Sequence, residues 1–284
     1  MAGQLILVPT PLGNLGDLTE RAREALAGAD LVACEDTRRT GGLLAHLGLE
    51  KPLARFDDHA SLENRERVAR ALAAGRKVAY CSDAGMPGVN DPGFELARLA
   101  REAGIPVTVL PGPSAVTLAV VASGLPSHAF SFWGYLPSRG EPRRAALRRL
   151  AAHEETVVVF ETPHRIHETL QELEELVPER ELALGRELTK LHETWYRGTP
   201  AQVKAALGSE SRGEMVLVIA GADAKRTLGE EEPGEAASGE LPDWALRYLD
   251  AAREGGMTLR EAAKPLARHL GIPASEVYRM AVGR

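Results

Sequence analysis

Residues 77–103 constrain the fold more than any other stretch of the chain. Lys77-Val78-Ala79-Tyr80-Cys81 is a short apolar run of the kind that a parallel sheet buries on both faces. It breaks into Ser82-Asp83-Ala84-Gly85-Met86-Pro87-Gly88-Val89-Asn90-Asp91-Pro92-Gly93, after which a helix is expected over Gly93–Ala103. The loop carries three glycines, two prolines and two aspartates. Glycine lets backbone N–H groups approach a ligand, proline stiffens the turn, and aspartate can accept from hydroxyl or amine groups. Ligands of α/β proteins sit beyond the carboxyl ends of the strands. The loop is therefore a candidate site, and the plain alternative is a turn-rich crossover.

The same alternation extends on both sides. Strands are expected at Gln4–Val8, Asp30–Cys34, Pro52–Phe56 and Pro106–Leu110. Helices are expected over Glu20–Ala27 with a Thr19 cap, near Thr40–Leu47, and over Leu62–Ala74 with a stop at Gly75. This pattern predicts a parallel sheet with helices on both faces. Past Ser123–Pro126, strands are expected at Phe130–Tyr135, Thr156–Phe160, Glu181–Leu184, Glu193–Gly198 and Glu214–Ala220. Helices fall at Pro142–Ala152, His164–Leu176 and Pro200–Leu207. More strands and fewer helices predict a mixed sheet. The segment from Ala222 to Leu241 holds five glutamates among Gly, Pro and Ala, the composition of a linker. Beyond it, Thr258 caps a helix to Leu270, Gly271 stops it, and another runs over Ala274–Val282, a helix-turn-helix pattern whose alternative is a helical dimerisation or packing tail. The division expected is 1–122 and 123–222 as two α/β domains, 223–242 as linker and 243–284 as a helical domain.

The net charge of −6 argues against a surface coated for nucleic acid, but five arginines fall between Arg139 and Arg149. A local basic patch suits a specific RNA contact, and a solvated helix face is the alternative. Cys34 and Cys81 end apolar runs and read as small buried hydrophobes; no Cys/His spacing suggests zinc. No apolar run approaches a membrane span, and the opening residues lead directly into a strand-like run, so a cytoplasmic location without a membrane partner is expected.

Four more segments carry chemistry. Pro9-Thr10-Pro11-Leu12-Gly13-Asn14-Leu15-Gly16-Asp17 follows the first strand, and it is not the glycine fingerprint of dinucleotide binding. Leu110-Pro111-Gly112-Pro113-Ser114-Ala115 follows another strand and fails the nucleophile elbow of serine hydrolases, so Ser114 caps a helix or binds a ligand. Phe160-Glu161-Thr162-Pro163-His164-Arg165-Ile166 and Arg186-Glu187-Leu188-Thr189-Lys190-Leu191-His192-Glu193 place charges at strand ends. His164, His167 and Glu168 share a helical face and read as a surface cluster rather than a metal site.

Taken in order over about 220 residues, PTPLGNLGD, SDAGMPGVNDPG and PGPSA resemble the tetrapyrrole-methylase superfamily. With FSFWGYLP (Phe130–Pro137), FETPHRI, RELTKLHE and RGEMVLVI (Arg212–Ile219), they are most similar to its bacterial branch of 16S rRNA cytidine 2′-O-methyltransferases. Met86 stands where threonine is more usual and Asn90 where serine is, and the family's His-Asn-Glu run is missing around His59. The resemblance implies two α/β domains, S-adenosyl-L-methionine (SAM) in the cleft between them, and a homodimer. It also implies cofactor contacts from Pro11, from Asp83, Ala84, Gly85, Met86 and Pro87, from Pro111, Gly112, Ser114 and Ala115, and from Glu161 and Met215.

The expected reaction is in-line transfer of a methyl to a ribose 2′-oxygen, which a base or a nearby cation assists. The candidates are Lys190, with Glu187 orienting it or accepting a proton, and His164 in reserve; this chemistry needs no metal. RNA contacts are expected from Arg139, Arg143, Arg144 and Arg148 and from the C-terminal helices, with the small ribosomal subunit as partner. The rival readings are a tetrapyrrole C-methyltransferase and a ligand-sensing DNA regulator.

Overall fold

The structure, a computed structural model, describes residues 3–57, 60–209, 212–222, 241–270 and 272–282. His59, most of the expected linker (223–240) and Gly271 lie outside the described residues. The first part runs β1 (Gln4–Leu7), α1 (Glu20–Gly28), β2 (Leu31–Cys34), α2 (Thr37–His46), β3 (Leu53–Arg55), α3 (Leu62–Ala73), β4 (Lys77–Cys81), α4 (Gly93–Glu102) and β5 (Val107–Val109). All five strands are parallel, in the order β3-β2-β4-β1-β5. Side chains alternate across β4: Val78 and Tyr80 enter one buried cluster, Ala79 and Cys81 the other. That two-sided burial is why the strands read as unbroken apolar runs. Hydroxyl and carboxylate caps start α1 and α2: Thr19 accepts from the Ala22 N–H at 3.1 Å and Asp36 from the Arg38 N–H at 2.8 Å.

The crossover helix α5 (Ala115–Ser123) leads to β6 (Phe130–Tyr135), α6 (Gly140–Ala151), β7 (Thr156–Glu161), α7 (Ile166–Leu176), β8 (Leu182–Arg186), β9 (Thr194–Gly198), α8 (Pro200–Leu207) and β10 (Met215–Ile219). The second sheet has the order β6-β7-β10-β8-β9, and only β6 and β7 pair in parallel, so it is mixed as expected. Helices α6, α7 and α8 cover one face through Leu147, Leu150, Leu170, Leu173, Val203 and Leu207. The other face is covered by α5, whose Val116, Ala119 and Val120 pack on Val158, Val216 and Val218. A helix that the sequence division assigns to the first unit thus packs on the second sheet. Last come α9 (Asp243–Glu254), α10 (Leu259–Leu270) and α11 (Ala274–Val282), which share a cluster of their own around Ala245, Leu249, Ala262, Leu266 and Val277.

Candidate functional site

Three loops meet at the carboxyl edge of the first sheet. Thr10 and Gly85 exchange both backbone hydrogen bonds, each at 3.0 Å, and the Thr10 hydroxyl donates to the Ser82 carbonyl. Gly85 has φ +81°, and a Cβ there would stand 2.9 Å from Leu12 and 3.7 Å from the Pro113 carbonyl oxygen. Gly112 lies so close to Pro9 that a Cβ would come within 2.6 Å. The turns around Leu12, Gly85 and Gly112 therefore touch, and the glycines are what permit it. Asp83 is held here by its own N–H, which donates to Glu35 Oε1 at 2.8 Å, and by the Asp36 N–H, which donates to Asp83 Oδ1 at 3.0 Å. Its carboxylate stays 31% exposed, with Oδ2 3.5 Å from Arg39. Ser114 occupies the cap position of α5, yet its hydroxyl makes no capping bond.

The charged segment after β8 joins the same cluster. The Lys190 side chain lies across Gly13, where a Cβ would stand 2.9 Å from Lys190 Cε. Its ammonium is 2.8 Å from Glu187 and 3.3 Å from Glu214. Burial pulls the ammonium pKa down, but these two carboxylates outweigh it and hold the value above the ordinary lysine range. Lys190 in turn holds the Glu187 carboxyl below its ordinary range. Lys190 thus stays cationic, and Glu187 is a weak base that also accepts from the Glu214 N–H at 2.8 Å. Glu187 and Thr189 have φ of +55° and +65°, strain that tertiary contacts must sustain. His164 stands exposed on the turn before α7. Among the described residues no group of three or more His, Cys, Asp or Glu could hold a metal ion.

Burial sets the surroundings of several of the expected contact residues. Glu161 is buried; its carboxylate accepts from the Thr169 hydroxyl at 2.7 Å, from the Thr162 N–H at 2.8 Å and from Arg165 at 3.3 Å. The Met215 side chain belongs to the core of the second sheet. Arg143, expected to grip phosphate, is 2% exposed and locked to Glu172, the Thr169 hydroxyl and the Pro137 carbonyl. Arg144 and Arg148 are exposed but pair with Glu141 of their own helix, which leaves Arg139, exposed at its start.

The sequence reading missed two adjoining cavities of about 620 and 420 Å³ beside Asp83. Glu35 and Asp57 line both, Asp91 and Phe94 the larger, and Arg38 and Arg55 the smaller. Burial pushes the Glu35 carboxyl up, reinforced by Asp91, Asp83 and Asp57, although the Asp83 N–H opposes the shift. The available signal was Glu35-Asp36-Thr37-Arg38, a charged run directly after the buried strand β2.

The chain also matches known proteins over most of its length. Residues 4–204 match the family model of the Tetrapyrrole (Corrin/Porphyrin) Methylases. The chain is 39% identical to the ribosomal RNA small subunit methyltransferase I of Escherichia coli O157:H7, over 99% of this chain and 95% of that protein. It is 40% identical to the protein of the same name from Synechocystis sp., over 99% and 98%. A crystal structure of uroporphyrin-III C-methyltransferase from Thermus thermophilus, complexed with S-adenosylhomocysteine, superposes with a TM-score of 0.54 at 22% identity, covering 76% of this chain and 96% of that one. With a family model spanning most of its length and full-length relatives near 40% identity, the chain belongs to the tetrapyrrole (corrin/porphyrin) methylase family.

Proposed function

We propose that this chain transfers the methyl group of SAM to the 2′-oxygen of a cytidine in the 16S rRNA of the small ribosomal subunit, acting as a cytoplasmic homodimer. The observation that carries the reading is the contact of three glycine-bearing loops with each other and with Lys190 over Gly13. The relatives' names supply the substrate class.

The loop cluster fits the cofactor. Asp83 keeps a part-exposed carboxylate for ribose hydroxyls or an amino group, Ser114 keeps its hydroxyl, Gly112 offers part-exposed backbone, and buried Gly85 lets the loops pack closely. Pro11, Ala84, Met86 and Ala115 are half-buried around them and Pro87 is buried, which supplies apolar walls. Bound SAM supplies an electrophilic methyl on a sulfonium. The protein's part is alignment of the attacking oxygen. Lys190, protonated and already placed by Glu187 and Glu214, offers positive charge where the ribose oxygen becomes an oxyanion. Glu187 orients it.

Two measurements test the reading. Asp83→Ala should abolish SAM binding in calorimetry, and wild-type affinity in that variant would refute the site. Wild-type protein with SAM should methylate small subunits that lack this modification, with the product mapped as a 2′-O-methylcytidine. Transfer to a tetrapyrrole but not to subunits would favour the family's other chemistry.

A further inference from the structure

The larger cavity, about 620 Å³, is ligand-sized and opens beside the later part of the 82–93 loop, past the contacts of Gly85 with the other two loops. Its charged walls are mostly committed. Asp91 accepts from the Gly88 and Gly93 N–H groups and from the Tyr80 hydroxyl, and so holds the loop in shape. Glu95 pairs with Arg65. Glu35 uses one oxygen on the Asp83 N–H. Asp57 is different. Its Oδ2 accepts from Arg55, but its Oδ1 is buried and has no hydrogen-bond partner among the described residues. A buried carboxylate oxygen left unpaired is costly and points to an absent donor. On the same wall Phe94 is 68% exposed at the start of α4, a bare aromatic face beside carboxylates.

These features select one chemistry. Carboxylates repel phosphate, so a nucleic-acid backbone is kept out of this cavity. A flat group that donates hydrogen bonds suits an exposed aromatic face beside an unpaired carboxylate oxygen. A cytosine edge offers its 4-amino group as donor, whereas uracil offers an acceptor at the same place. We propose that this cavity seats the target nucleobase splayed from the RNA, with Phe94 as the stacking platform and Asp57 Oδ1 as acceptor of the cytosine 4-amino group. The inference rests on the RNA methyltransferase reading and adds the residues that choose the base. The base sits one hydrogen bond from the cofactor loop, because Glu35, which lines the cavity, also holds the Asp83 N–H. A site built around an amino group rejects the analogue that lacks it far more strongly than an apolar slot could.

The test uses the whole protein with SAM and two substrates: small subunits with the target cytidine, and subunits reconstituted with uridine in its place. Wild type should prefer cytidine by about 100-fold or more. Asp57→Asn keeps an oxygen for Arg55 but turns the other position into a donor, so the preference should fall by about 10-fold or more through faster uridine turnover. Phe94→Ala should raise the KM for subunits about 10-fold, with Phe94→Trp close to wild type. SAM affinity by calorimetry should be unchanged in all three, which shows that they fold. Wild-type cytidine preference in a SAM-binding Asp57→Asn protein that methylates subunits overturns the inference and leaves the function intact. Failure of the wild-type protein to methylate any subunit removes the RNA reading and this inference together.

Discussion

Lys190 and Arg143 are two cations whose surroundings give them opposite work. Lys190 is part-exposed, stretched across Gly13, and held by two carboxylates at the loop cluster. Lys190→Met removes the charge and keeps most of the packing. It should lower kcat by about 10²- to 10³-fold with little change in SAM affinity, read by single-turnover methyl transfer beside calorimetry. Equal losses in both would make Lys190 a structural ion pair. Arg143 has no free face: the second unit uses its guanidinium to join α6 to α7 through Glu172 and Thr169. Truncating a buried pair strands its partner, at a cost of about 3 kcal/mol or more. Arg143→Ala should therefore shift the urea midpoint strongly, while the protein that remains folded keeps wild-type affinity for RNA. A normal midpoint with weakened RNA binding would restore Arg143 to the interface.

At the scale of elements, β2 and β4 carry Cys34 and Cys81 as register partners, both buried. Burial pushes the Cys34 thiol from 9.0 up to about 11, against a hydrogen bond involving Thr40, and nearby acids add to the rise. Its folded pKa lies above the unfolded one, so its contribution is complete below pH 9. Between about pH 9 and 11 the unfolded chain releases a proton that the folded one keeps, and stability falls by on the order of 2 kcal/mol. Urea unfolding at pH 8, 9.5 and 11 should show a steeper alkaline decline for wild type than for Cys34→Ala; parallel declines would exclude this thiol as a source. These strands were legible because two-sided burial writes an unbroken apolar run, and Lys77–Cys81 has the bounds read from sequence alone. Pro200–Leu207 was legible for a local reason, the reciprocal cap between Thr199 and Gln202. Burial of Arg143 was not, because its partners lie 26 and 29 residues away and nothing local separates it from Arg144. The Glu161 environment was hidden likewise, since Thr169, whose hydroxyl donates to it, lies a helix turn and more beyond the strand end. The cavity beside Asp83 draws Glu35, Asp57 and Asp91 from three separate loops, a meeting only the sheet order creates.

For the whole molecule, the division proposed is two α/β units at 1–122 and 123–222, a linker at 223–242 and a helical unit at 243–284, with α5 as the helix that fastens the first pair together. The two sheets are tied by α5 and by Asn90, whose side chain lies against Gly134 of β6, so they should unfold as one. Among the described residues, the apolar cluster of α9–α11 draws on those from Leu241 onward, so removal of the helical unit should leave both sheets closed. It also carries seven Lys and Arg against five Asp and Glu in a chain whose net charge is −6. Attraction to phosphate concentrated in a detachable unit gives salt-dependent substrate affinity and salt-independent cofactor affinity. A protein ending at residue 222 should bind SAM with wild-type affinity and melt as one transition. Its affinity for small subunits should be at least about 10-fold weaker, with a shallower slope against salt concentration. If the shortened protein instead lost SAM binding, the helices would belong to the catalytic core. If it kept full subunit affinity, recognition would reside in the arginines around the Asp83 cavities and in Arg139.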